Sequence, residues 1–383
     1  MDPREFVSQN AGRAIQTQGG YWAFVPNPLP PEITWTEALV SVLAEAERDL
    51  AKLATRAADF SFPHLIIQPF IRNEAVISSR IEGTRASLTD LYTFEVAQLS
   101  FFEQNDDVRE VYNYVRATDY GMERLKTLPF SLRLIREIHE KLMENVRGGA
   151  LTPGEFRRSQ NWIGPAGSTP ANAPFVPPPV DEMVQALGDL EKLLHAGMQI
   201  PALARAGMIH YQFEAIHPFL DGNGRVGRLL VTLLLCDWKL LPQPLLNLST
   251  YIERHRQEYY DHLLAVSKQG AWEAWLRFFL RGVAEQARDS LYRMEHLQAI
   301  RVQYQYVVES SRNRERMANV VDFLFSRPIF SVRQVALGLD MPIKTAQDYI
   351  AVLQKAGIVR EITGYARNRI FQADEILKAV QGL

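Results

Sequence analysis

The stretch EAIHPFLDGNGRVGRLLVTLLLC, residues 214–236, decides between a parallel sheet and a helical fold. Gly222, Gly224 and Gly227 spell G-x-G-x-x-G, the spacing of a dinucleotide-binding turn. That turn needs a strand before it and an acidic residue on the next strand about 20 positions later. Here ALARAGMIHYQFEAI upstream is patterned as a helix, and RVGRLLVTLLLCDWKLL downstream is a second helix. The phosphate-loop form G-x-x-x-x-G-K-[ST] is absent as well. The segment reads as helix, loop, helix.

The loop carries chemistry of its own. Gly222, Asn223 and Gly224 fall where one helix ends and the next begins, so free backbone N–H groups and the new helix dipole make an anion seat suited to phosphate. Arg225 and Arg228 lie three apart on the first turn and share a face, giving two forked donors. Asp221 is a hard oxygen ligand placed for the Mg²⁺ that accompanies a triphosphate, and His217 is suited to take a proton from an attacking hydroxyl. Each residue alone has a plainer reading, as a turn or a loop histidine. Together they make the parts of a phosphoryl or nucleotidyl transfer site.

Composition sets the frame. The chain has 383 residues with 47% hydrophobic content, enough for two or three domains with full cores. Lys+Arg number 42 against 44 Asp+Glu, so no whole-chain field draws it to nucleic acid or membrane. MDPREFVSQN lacks the form of a secretory leader, and the longest apolar run, LLVTLLLC, is far short of a bilayer span; the expectation is a cytoplasmic protein. The single cysteine, Cys236, reads as a small core residue.

The expected fold is mainly α. Residues 1–35 form an extended Pro- and Gly-rich arm, 36–125 a helical region, 126–295 a helical core, 296–316 a charged connector, and 317–383 a separate module. Within the core, NWIGPAGSTPANAPFVPPPV (161–180) holds too much Pro and Gly for a helix and reads as a hairpin-like flap. The last module shows three short helical stretches and then IVREITGYARNRIFQ, two alternating runs about Gly364. That is the sequence form of a winged helix-turn-helix domain.

HPFLDGNGRVGR resembles, with no departure at a defining position, the HxFx(D/E)GNGRxxR motif of Fic-domain proteins. The resemblance extends from the N-terminal helices to the helices after the motif. It implies a helical fold that moves AMP from ATP onto a Ser, Thr or Tyr hydroxyl of a protein, with His217 as general base and Asp221 as Mg²⁺ ligand. Gly222, Asn223 and Gly224 would then hold phosphates, with Arg225, Gly227 and Arg228 completing the nucleotide site. Phe219 would be a buried anchor. Ile163, Gly164, Phe175 and Val176 of the flap would dock the target by strand addition. SSRIEG (78–83) matches the family's inhibitory pattern (S/T)xxxE(G/N) through Ser78, Glu82 and Gly83; by that resemblance Glu82 pairs with Arg228 and blocks productive ATP binding. Self-modification and homodimers are expected by similarity only. Tyr251, Tyr259 and Tyr260 either line an adenine pocket or belong to the core.

Three alternatives remain open from sequence: removal of AMP, another transfer on the same fold, or a transcription regulator that senses nucleotide. The C-terminal stretch 310–383 carries 11 Lys+Arg against 7 Asp+Glu, so DNA is a candidate partner. Lys344, Thr345 and Gln347 would sit on the recognition helix, with Arg367 and Arg369 on the wing.

Overall fold

Helices dominate because apolar residues recur at three-to-four spacing along most of the chain. The computed structural model describes residues 1–59, 63–97, 106–146, 151–196, 200–309, 313–364 and 368–382. After a 3₁₀ turn at Pro3–Glu5, strands β1 (Gly12–Gln16) and β2 (Trp22–Pro26) pair antiparallel, with Ala14 opposite Phe24. Next come α1 (Glu37–Ala58), α2 (Pro63–Ile81), α3 (Leu88–Ala97), α4 (Asp106–Arg124) and α5 (Leu132–Leu142). Thr36 and Ser131 start α1 and α5 by accepting bonds from Leu39 N and Leu134 N. The flap follows, then α6 (Val180–His195), α7 (Ala202–Ile216), α8 (Asn223–Asp237), α9 (Leu248–Arg254), α10 (Arg256–Gln269) and α11 (Trp272–Val308).

α7 and α8 are buried on nearly all sides and lie at the centre of the core. α1 runs along α11, and α2 packs against α4, α9 and α12 (Arg314–Ser326). The C-terminal elements continue with β3 (Ile329–Ser331), α13 (Val332–Gly338), α14 (Ile343–Lys355), β4 (Arg360–Glu361), β5 (Ile370–Gln372) and α15 (Asp374–Gln381). Their three strands form an antiparallel sheet in the order β3-β5-β4. One hydrophobic core joins them to the rest, with Phe330 and Phe371 stacked inside it.

Two expectations need correction. Residues 12–26 are extended, but they form a paired hairpin whose Ala23 and Phe24 are fully buried, rather than a free arm. Phe24 N donates to Val176 O, so β2 lies against the flap. The charged connector expected over 296–316 is instead helical through Val308. Leu297, Ile300, Tyr304 and Val308 form its buried stripe, and Arg301 forks onto Asp322 of α12 at 2.6 and 2.9 Å. No helix among the described residues is long and apolar enough to cross a membrane.

Candidate active site

The site is built where α7 stops. His217 adopts a left-handed backbone (φ 48°, ψ 61°) that ends the helix, and its N–H still bonds Phe213 O. The side chain folds back so that Nδ1 lies 3.3 Å from Glu214 O. A proton on Nδ1 donates there and leaves Nε2 as an acceptor, the tautomer a general base needs. Burial, with help from the charge of Arg157, lowers its pKa to about 4 against the opposing pull of Glu82. The imidazole is therefore neutral at physiological pH.

The loop that follows is pinned from both sides. Phe219 is fully buried and stacks on His139 at 3.7 Å between ring centroids. Asn223 accepts from Phe219 N (2.9 Å) and donates back to Phe219 O (2.8 Å), so its amide holds the loop rather than a ligand. His139 accepts from Gly154 N at Nδ1 (2.9 Å), so Nε2–H must donate to Asp221 O (3.1 Å). Burial keeps that imidazole neutral as well, near pKa 4.

Gly222 caps α8 in the left-handed region (φ 77°), and a Cβ there would lie 2.9 Å from Met143 Sδ. The first N–H groups of α8 have no side-chain cap, which leaves the anion seat of the sequence reading in place. Asp221 is exposed; its Oδ1 accepts from Gly222 N (2.6 Å).

The two arginines divide. Arg225 is buried against Glu110 at 2.8 Å, a partner no sequence signal marked. Arg228 is also buried, donating Nε to Ser78 Oγ (2.9 Å) and Nη2 to Ser78 O (2.8 Å), with Glu82 Oε1 2.8 Å away. α2 ends at Ile81, and Gly83 in the left-handed region (φ 102°) turns the chain so that Glu82 faces α8. A Cβ at Gly224 would meet Glu82 Oε1 at 2.2 Å, so the carboxylate lies directly on the anion seat. Burial pushes Glu82 up, yet the charge and hydrogen bond of Arg228 prevail and hold it below its ordinary value. Gly227 gives room instead to Glu214, whose Oε1 would be 2.2 Å from a Cβ there. Burial raises Glu214 to about 8, so this acid is neutral.

Sequence reasoning missed the flap's attachment to this loop. Arg157 donates Nε to His217 O (3.1 Å), and Asn161 donates to His217 O (3.0 Å) and Phe219 O (2.9 Å). The flap itself closes by one bridge, Ile163 to Phe175. Phe175 and Val176 are buried against the N-terminal hairpin, which removes their side chains from any docked segment. Ile163 is half-buried and Gly164 exposed, so the 162–164 strand is the accessible edge. Of the three tyrosines, Tyr251 and Tyr259 are core, with Tyr259 bonded to His210 at 2.9 Å, and Tyr260 is 38% exposed.

Fold and site thus define a helical protein organised around a helix start without a side-chain cap, with a histidine at its mouth and a carboxylate across it. Residues 40–123 match the Fic/DOC family N-terminal region and residues 129–235 the Fic/DOC family, and the chain belongs to that family. The Fic protein adenylyltransferase of Aedes aegypti is 32% identical over 157 residues, 40% of this chain and 27% of that protein. The Drosophila willistoni protein of the same name is 26% identical over 288 residues, 72% of this chain. The chain spans about half of the latter's length (54%) and about a quarter of the former's. A Fic family protein from Desulfovibrio desulfuricans G20 shares the fold, at TM-score 0.58 and 18% identity over 90% of this chain and 98% of that one.

Proposed function

We propose that the chain is an autoinhibited protein adenylyltransferase. The observation that carries the reading is the seat of Glu82: its carboxylate holds Arg228 at 2.8 Å and covers Gly224, the two places a nucleotide's phosphates need. A site with an intact base and anion seat closed by its own chain is what a restrained enzyme requires. The relatives named protein adenylyltransferase supply the reaction class and ATP as its AMP donor.

In this reading the N–H groups at the start of α8 and the fork of Arg228 bind the phosphates once Glu82 withdraws. His217 Nε2 takes the proton from a Ser, Thr or Tyr hydroxyl of the target, on another protein or on this chain. The hydroxyl oxygen forms its bond to the α-phosphorus as the bond to pyrophosphate breaks. Alignment and charge stabilisation supply most of the rate. Among the described residues no group of three acidic, His or Cys side chains could cage a metal. A lone exposed Asp221 instead suits Mg²⁺, which takes one or two carboxylates and completes its shell with water and phosphate. When bound, the ion would neutralise phosphate charge. Arg225, locked to Glu110, would act by shaping the seat.

The C-terminal topology, helices α12 to α14 with a three-stranded sheet and Gly364 between β4 and β5, followed by α15, supports a winged helix on α14. Lys344 is paired with Asp348, Arg360 with Asp374 and Arg369 with Glu361, which weighs against phosphate contacts to DNA. Arg367 lies outside the described residues. Retention of mixed genomic fragments at low salt would reverse that judgement.

The test of the main reading uses ATP labelled at the α- or the γ-phosphate with Mg²⁺. Label on protein from the α-position alone, weak in wild type, at least ~10-fold stronger in Glu82→Gly and lost in His217→Ala, is expected. Label from the γ-position, or none in Glu82→Gly, would defeat it.

A further inference from the structure

Arg157 and Asn161 lie outside every motif of the chain, yet both close on the base. Arg157 is 1% exposed, and no carboxylate pairs with it among the described residues. Its guanidinium is spent on three carbonyls: His217 O through Nε (3.1 Å), Ser159 O through Nη1 (3.1 Å) and Pro178 O through Nη2. Its own N–H donates to Pro218 O at 2.9 Å. Ser159 and Pro178 are the two roots of the flap, one before and one after the pair Ile163 and Phe175 that bridges it. One side chain therefore joins both ends of the flap to the backbone of the base. Asn161 adds a second bridge from the flap to His217 O and Phe219 O.

The join falls on a strained residue. His217 holds a left-handed backbone without being glycine, and such a conformation persists only where neighbours over-determine it. Its carbonyl is turned out of α7, and it accepts from Asn161 at the start of the flap and from Arg157 just before it. The imidazole is thus aimed by the flap as much as by its own helix.

We propose that Arg157 and Asn161 are positioning residues that couple the flap to His217, so that seating a target strand on the 162–164 edge and aligning the imidazole are a single event. The proposal rests on the transferase reading and deepens it. Arg157 also acts through its charge. His217 faces Arg157 from the flap root, Glu82 from the turn after α2 and Glu214 from its own helix; burial, and then the Arg157 charge, favour the neutral ring. A buried arginine held by carbonyls alone is suited to this, because no carboxylate cancels its field.

The experiment uses the full chain in the Glu82→Gly background, with α-labelled ATP and Mg²⁺, and compares Arg157→Lys, Arg157→Gln and Asn161→Ala. The expected result is a fall in kcat of about 10- to 100-fold in each, with KM for ATP within about twofold, since the nucleotide seat on α8 is untouched. Arg157→Gln removes a positive charge beside His217 and should move the acid limb of the pH profile to higher pH. Arg157→Lys keeps the charge but not the planar fork, so it should lose kcat and leave the limb in place. Unchanged kcat, a KM for ATP that rises as much as kcat falls, or an unmoved limb in Arg157→Gln would overturn the inference. Should Arg157→Gln fail to fold, kcat in Arg157→Lys and Asn161→Ala decides. Absence of label in the parent Glu82→Gly protein would instead defeat the transferase reading itself.

Discussion

Arg228 shows how much one side chain can gather: a hydroxyl and a carbonyl of Ser78 and the carboxylate of Glu82. Ser78→Ala leaves its buried Nε without that acceptor, a loss of about 1–3 kcal/mol, while the Ser78 O and Glu82 bonds survive. Labelling in Ser78→Ala should therefore rise above wild type but stay below Glu82→Gly; equal release in both would show that the hydroxyl, and not the carboxylate, restrains the site. The pair also fixes a pH dependence. Because Arg228 holds Glu82 below the usual 4.5 despite burial, the carboxylate is ionised above that value and the contact is lost only as pH falls through the depressed one. Wild-type labelling should stay suppressed from pH 8 down to pH 5, and a steep rise over that window in a pH series would contradict the assignment. At this scale the sequence was informative wherever a motif has fixed spacing: His217, Asp221, the loop glycines, Arg228, Ser78 and Glu82 all converge on one site. Glu110, His139, Arg157 and Asn161 were not legible. They act through single contacts across the fold, and a lone His or Arg in a helix or loop carries no periodic signal.

At the scale of elements, the N-terminal hairpin shows what a Pro- and Gly-rich segment conceals. TQGG at 17–20 supplies a turn between GRAIQ and WAFVP, two runs short enough to pass for loop, and their partner is the flap some 150 residues away. Phe6, Phe24 and Phe175 meet there with ring centroids 5.4–6.3 Å apart. Phe24→Ala would remove the central ring of that cluster at a cost of about 3 kcal/mol. Since the hairpin backs the flap and its main packing against the helices is on α6 and α7, the expected outcome is a raised KM for the target protein with ATP binding by titration unchanged. Weakened ATP binding in Phe24→Ala would mean that the hairpin supports the whole site. α11 fails for the opposite reason. Its last third carries apolar residues on its exposed face as well, Val302, Tyr306 and Val307, which blurs the stripe Leu297, Ile300, Tyr304 and Val308. The period was present, but its burial depends on α12 and α15, elements a local window cannot see.

For the whole molecule, the mainly helical class and the order of helices, flap and terminal module could be read from periodicity and turn chemistry, whereas the way the last 70 or so residues attach could not. They are not a tethered bead. α12 and α15 pack on α2 and α11, and β3 packs on α3. Arg293 of α11 donates to Val380 O, and Tyr304 OH donates to Glu375. The helix that carries Ser78 therefore lies between the helices of the candidate site and the C-terminal module. This arrangement makes a thermal prediction. All six tryptophans (Trp22, Trp35, Trp162, Trp238, Trp272 and Trp275) precede residue 313, so their fluorescence reports on the body and not on the module. Asp322→Ala removes the carboxylate that forks onto Arg301 in a partly buried pair, at a cost of about 1–3 kcal/mol. If the shared core makes body and module melt together, the fluorescence midpoint should fall with the circular-dichroism midpoint by about 2–4 °C, although the substitution lies in the module. A fluorescence midpoint that stays fixed while part of the helical signal melts early would show a module that unfolds on its own, with α2 then held by the remaining helices alone.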